Sequence, residues 1–145
     1  MTGSLAESLH ALAERFVSKT GRLQSSFDFS LDSGDALDQF IDLMLATGDP
    51  ISDLVVLGMG AYLGETFIRN IGGSWVAMPK GPTPEDPGIE WKGLWVLPFE
   101  KVRKRIAVGS AHSIGFFLRE MHDSAGLPAA DRDGRWTRFR RPRER

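Results

Sequence analysis

The segment Gly58 to Gly73, GMGAYLGETFIRNIGG, constrains this chain more than any other feature. It overlaps an eleven-residue uncharged run, Leu54 to Gly64, bounded by Asp53 and Glu65. A membrane-crossing helix needs about 20 apolar residues, so the run is too short to span a bilayer. Its middle is apolar on every side of a helix, which predicts a buried helix rather than a surface one. The helix is expected over about 52–71. Gly72 and Gly73 end it, because glycine takes the left-handed conformation past a helix end without a Cβ clash. Gly60 and Gly64, four apart, are the spacing that lets another backbone approach closely. Gly58, Gly60 and Gly64 stand at relative positions one, three and seven. A dinucleotide-binding fingerprint needs one, three and six after a strand, which excludes that reading.

Amphipathic patterns flank this helix. Leu5, Leu9, Leu12 and Phe16 share one face of a helix over about 4–19, with Ser4 as cap and Glu7 three residues on. Phe27, Phe29 and Leu31 alternate with polar residues, which suggests a further extended segment at about 26–31. Leu37, Phe40, Ile41, Met44 and Leu45 form the stripe of a helix over about 33–47, with Ser33 as its cap. Strands are expected at about 74–79 and 89–97, joined as a hairpin across a loop rich in proline and glycine. In the second strand Trp91, Gly93, Trp95 and Leu97 would share one face. Pro98 opens a last helical region, about 99–124, which Gly109 either bends or divides. The pattern is α+β: helices packed on a small antiparallel sheet. Residues 1–127 are expected to form one domain, followed by a basic, disordered tail over 128–145.

The net charge of −1 conceals an asymmetry. Between Leu23 and Ile68 there are eight acids and no lysine or arginine. The tail holds seven arginines against Asp131, Asp133 and Glu144, a balance of +4, which leaves −5 on residues 1–127. An acidic body argues against nucleic-acid binding by the domain itself, because phosphate contacts need a basic surface. The chain has no cysteine, which excludes disulfides, thiolate metal sites and cysteine nucleophiles and agrees with a cytoplasmic setting. No secretory pattern is expected, since Glu7 interrupts the start before any long apolar run.

Glu65 is the most informative single residue. Leu54, Gly58 and Glu65 have nearly the same helical phase, so a carboxylate is carried into an apolar setting. It must pair, accept hydrogen bonds or protonate. Arg69 is its neighbour one turn on, and Arg105 is a candidate long-range partner. A tuned acid or ligand anchor is one reading. A structural ion pair, or an acceptor for a tryptophan indole, is the reading favoured here. Glu65, Tyr62, Trp75 and Arg105 form the candidate structural or ligand site. Of the basic cluster Lys101, Arg103, Lys104 and Arg105, one member is expected to face inward. His10, His112 and His122 show no metal-ligand spacing, and the His10–Glu14 pair reads as surface chemistry. Asp35, Asp38 and Asp42 read as a solvated acidic face rather than a cation site. No cofactor or metal motif is present, and no catalytic constellation stands out, so the chain leans away from an enzyme. In the tail, Arg135, Trp136, Arg138, Phe139, Arg140 and Arg141 mix charge with aromatic rings, a composition suited to nucleic acid or an anionic membrane.

The order Asp28-Phe29-Ser30, Gly60-Ala61-Tyr62-Leu63-Gly64-Glu65, Gly72-Gly73-Ser74-Trp75 and Val102-Arg103-Lys104-Arg105 resembles a signature shared by bacterial domain families of unknown function. The resemblance covers roughly Phe27 to Phe117. It implies a small α+β fold and a bacterial origin, and it carries no activity with it. The expected function is a non-enzymatic binding or regulatory module acting through protein–protein contacts, with another protein or a second copy of itself. The alternatives are a small-ligand or enzymatic pocket around Glu65, and attachment to nucleic acid or membrane through the tail.

Overall fold

A computed structural model describes residues 4–21, 27–77 and 86–125. Five helices pack against a small three-stranded antiparallel sheet, an α+β fold. In chain order these are α1 (Ser4–Thr20), α2 (Ser33–Ala46), α3 (Asp53–Asn70), β1 (Ser74–Val76), β2 (Gly88–Trp91), β3 (Leu94–Val96), α4 (Pro98–Val108) and α5 (Ile114–Ala125). A short 3₁₀ turn, Ser110–His112, separates the last two helices. No helix among the described residues is long and apolar enough to cross a membrane.

Helix α3 is the spine. The Ser52 hydroxyl caps it by accepting the Val55 amide at 3.3 Å. Every residue from Gly58 to Phe67 is buried, as its apolar middle requires. At the far end the amides of Ile71 and Gly72 both donate to the Phe67 carbonyl. Gly73, at φ 95°, then turns the chain into β1. A Cβ there would lie 2.7 Å from Ile89 and 2.9 Å from the Glu90 carbonyl, so both conformation and space require glycine.

Packing on α3 is aromatic. Phe99 of α4 lies over Gly60, and the Trp75 indole lies over Gly64, where an added methyl group would overlap its Cη2 and Cζ2. The Gly-x-x-x-Gly step therefore seats two rings, where the spacing had suggested a close backbone. On another side, Phe16, Phe27, Phe40 and Tyr62 form one cluster with ring centroids 5.1 to 5.9 Å apart. Helix α1 packs along α3, α4 packs on α3 and β2, and α2 packs on α5.

Three expectations need correction, and one open alternative is decided. Residues 27–31 are not a strand: Phe29 has φ 62°, and the segment bends. The Asp28 carboxylate accepts the Ser30 amide at 3.0 Å, and hydrogen bonds from the Ser30 hydroxyl and then its amide hold the carboxyl below its usual range. The alternation of aromatics serves a turn that places Phe27 in the core and Phe29 at its edge. The strand at 89–97 is two strands, β2 and β3, paired Ile89 to Val96 and Trp91 to Leu94. Lys92 (φ 52°) and Gly93 (φ 80°) make the two-residue turn between them. Trp91 and Leu94 therefore face each other across the hairpin, and Trp91, Gly93, Trp95 and Leu97 do not form one strand face. Of the two alternatives for the helical region at 99–124, division holds: Gly109 at φ 110° ends α4, and α5 begins at Ile114. Ser33 does not cap α2; it is the first helical residue, and its hydroxyl donates to the Ser30 carbonyl at 2.6 Å.

Candidate functional site

Glu65 sits where α1, α3 and β1 meet, with its side chain 11% exposed. Its Oε2 accepts the Trp75 indole N–H at 3.0 Å. Its Oε1 lies 3.1 Å from His10 Nδ1 and 3.5 Å from the Arg69 guanidinium. Arg69 also reaches Glu14 at 3.5 Å and His10 Nδ1 at 3.3 Å. That nitrogen can donate to Glu65 or accept from Arg69, but a single tautomer cannot do both. The carboxylate thus joins two helices and a strand through protein donors, including the indole expected for its structural reading. His10, read from sequence as surface chemistry, is part of this network.

Tyr62 belongs to a neighbouring cluster. Its hydroxyl donates to Ser33 Oγ at 2.8 Å and accepts the Phe29 amide at 2.9 Å. Burial pushes the phenol above its ordinary value, against the opposing effect of these hydrogen bonds, so it is neutral at ordinary pH. The uncommon backbone of Phe29 is held from three directions. Its amide meets Tyr62, its carbonyl accepts Asn70 Nδ2 at 2.8 Å, and Arg69 lies 3.7 Å over its ring. Arg69 therefore links the Tyr62 and Glu65 clusters.

Arg105 is elsewhere. It is the inward member of its basic cluster, with its side chain 3% exposed, and it pairs with α2 rather than with Glu65. Its Nε donates to Asp38 Oδ1 at 2.9 Å, and one terminal nitrogen donates to Asp42 at 2.7 Å. Burial works to lower the guanidinium pKa, but the hydrogen bonds it donates to Asp42 and Asp38 outweigh it and raise the group above its ordinary value. Asp38 also accepts Ser113 Oγ at 2.8 Å and the amides of Ile114 and Gly115 at 2.9 and 3.0 Å. It therefore caps the N-terminus of α5 from a different helix, while Ser113 Oγ accepts the Phe116 amide in the same turn. Asp35 pairs with Arg119 at 2.9 Å. The solvated acidic face is overturned for Asp38 in particular, which is a buried-side acceptor of four side-chain and backbone donors. The sequence had no way to pair Asp38 with Arg105, 67 positions apart.

Among the described residues, the four candidates Glu65, Tyr62, Trp75 and Arg105 do not share one set of bonding partners. They distribute over these three clusters. Among the described residues no group of three or more histidines or carboxylates is placed to hold a metal ion. The tail candidates, Arg135 to Arg141, lie outside the described residues.

The described residues line two surface recesses that bear on function. One, of about 470 Å³, is polar and lined by Asp28, Asp32, Asp35, Ser30 and Gln39 at the start of α2. The other, of about 290 Å³, is mainly apolar and lies between α1, α2 and the start of α3. Phe16, Phe40 and Gly58 line it, with Leu12 and Val55, and Arg15 and Lys19 of α1 also contribute. Leu54, 77% exposed, stands at its edge. Phe16 packs directly on Gly58, so the absent side chain at position 58 brings α1 and α3 together here. The helical period missed this surface. Leu54 shares the phase of Gly58 and Glu65, but α3 is enclosed only along its middle, and phase does not say where enclosure begins. The chain matches no protein-family model, no curated protein and no solved structure.

Proposed function

We propose that this chain is a non-enzymatic bacterial binding or regulatory module that acts through protein–protein contacts. Its contact surface is the apolar recess between α1, α2 and α3. The observation that carries this reading is Leu54, a large apolar side chain 77% exposed beside an apolar cavity of about 290 Å³. Together the side chain and the recess offer an apolar surface that an associating partner would cover. The polar side chains that could do chemistry have a different use. Glu65, Tyr62, Asp38 and Arg105 each bond to groups of the fold itself. This weighs against the alternative of a ligand or enzymatic pocket around Glu65, since both carboxylate oxygens already have protein donors. The bacterial affiliation rests on the GAYLGE, GGSW and VRKR signature, and a cytoplasmic setting on the absence of cysteine.

Purification of partners with the native chain and with Leu54→Asp, then reconstitution from purified components, tests the reading. The native chain is expected to form a complex that survives sedimentation. Leu54→Asp is expected to lose it while melting like the native protein. A partner that binds both equally, or a native chain that stays a partnerless monomer, would refute the proposal. A second copy as partner would show as self-association in the same sedimentation run.

A further inference from the structure

The geometry points to an acidic amphipathic helix as the occupant of the apolar recess, a refinement that rests on the protein-contact reading above. Arg15 and Lys19 both line it and stand four residues apart on α1. That spacing sets the two cations about 6 Å apart along the helix axis. Neither forms an ion pair with any described residue, unlike Arg69, Arg103, Arg105 and Arg119. The two charges stand beside an apolar floor of Phe16, Phe40 and Val55, on a body whose residues 1–127 carry −5. A partner helix with carboxylates one turn apart would match the pair, and its apolar anchors at i, i+3 and i+7 would enter the recess. The acidic remainder of the domain would repel the same helix elsewhere, so the two cations also fix where it docks.

Other occupants fit less well. The chain's own tail carries +4 and is repelled by Arg15 and Lys19. A small amphipathic anion confined to about 290 Å³, the low end for ligand cavities, would cover only the face of Leu54 that lines the recess. A helix lying along the recess covers Leu54 as well. Leu43, 61% exposed, follows Phe40 by three residues on α2.

The probe is a displayed library of helical peptides of about 16 residues, with apolar residues fixed at i, i+3, i+4 and i+7 and all other positions random. Selection on the native chain, with counter-selection on Leu54→Asp, is expected to return peptides of net negative charge. Their affinity is expected to fall about tenfold or more at low salt for the double variant Arg15→Glu with Lys19→Glu, and the loss should shrink as salt rises. Both residues are exposed, so a thermal melt like that of the native chain is expected for the variant. Peptides in which the acids are exchanged for lysine are expected to regain binding to it. Recovery of neutral or basic peptides, or acidic peptides indifferent to the double variant, overturns the inference while leaving the protein-contact reading intact. Loss of the natural partner on Leu54→Asp without any effect of the double variant has the same meaning. If no peptide is recovered and dodecanoate instead saturates the recess, both readings fail and the cavity belongs to a small amphipathic anion.

Discussion

Consider the replacement of Asp38 by alanine beside the replacement of Asp42 by alanine. Both carboxylates hold Arg105, at 2.9 and 2.7 Å, and by distance alone they look equivalent. Their surroundings differ. The Asp38 side chain is 15% exposed and that of Asp42 is 66% exposed. Removal of the Asp38 carboxylate leaves an Arg105 that is 3% exposed with one solvent-screened carboxylate and the backbone carbonyl of residue 38 as its partners, and it strips Ser113 and the first two amides of α5 of their acceptor. Breaking a buried pair from one side costs about 3–5 kcal/mol, and the lost cap falls within that range. Removal of Asp42 takes away an exposed pairing worth under about 1 kcal/mol. At roughly 3 °C per kcal/mol for a chain of this length, Asp38→Ala should melt about 10–15 °C lower and Asp42→Ala less than about 3 °C lower. Urea titration followed by tryptophan fluorescence, with thermal circular dichroism, reads both. Variants that fall within about 1 kcal/mol of each other would refute the claim that burial, rather than bond length, sets the worth of the two bonds.

Three further outcomes follow from the packing. Gly64→Ala puts a methyl group into the Trp75 indole, which is tied by its N–H to Glu65, and should cost about 1–3 kcal/mol with an altered near-ultraviolet spectrum. A native spectrum and unchanged melting would contradict that packing. Glu65→Gln keeps an acceptor for the indole but removes the charge facing Arg69 and His10, and should cost about 1–2 kcal/mol in a urea melt. No loss at all would remove Glu65 from the structural account. Tyr62 is the chain's single tyrosine, so absorbance at alkaline pH reports it alone. Its folded-state value is raised, so the neutral phenol is the form the fold accepts. That contribution is whole below about pH 10, where the unfolded phenol titrates, and is lost as pH climbs through the folded value. Ionisation should therefore lag behind that of the urea-unfolded chain, and coincident curves would contradict the buried setting.

Sequence pattern reached the spine and stopped where the chain folds back on itself. The all-round apolar middle of α3, its Ser52 start and its glycine end are local properties, and local properties are legible. The hairpin between β2 and β3 was hidden because Lys92-Gly93 interrupts a strand-like run without the asparagine or aspartate that usually marks such a turn. Phe27, Phe29 and Leu31 alternate like a strand, yet side-chain bonds from Asp28 and Tyr62 hold a bend there. Glu65 announced that it needed a partner, and the indole half of the answer was foreseen. His10 was not, because its 55-residue separation from Glu65 leaves no periodic trace. Arg105, a candidate partner for Glu65, pairs instead with Asp38 and Asp42, across separations that likewise leave no periodic trace. The recess escaped because it is a property of where helices end against one another, which no single helix encodes.

The central claim is that association occurs at the recess and that the polar clusters serve the fold. Amide hydrogen exchange of the native chain, with and without its purified partner, tests it most directly. New protection is expected along α1 from Leu12 to Thr20 and along the first turns of α3 from Asp53 to Gly58. Protection confined to Asp28–Gln39, or to the stretch from Glu65 to Trp75, would contradict it.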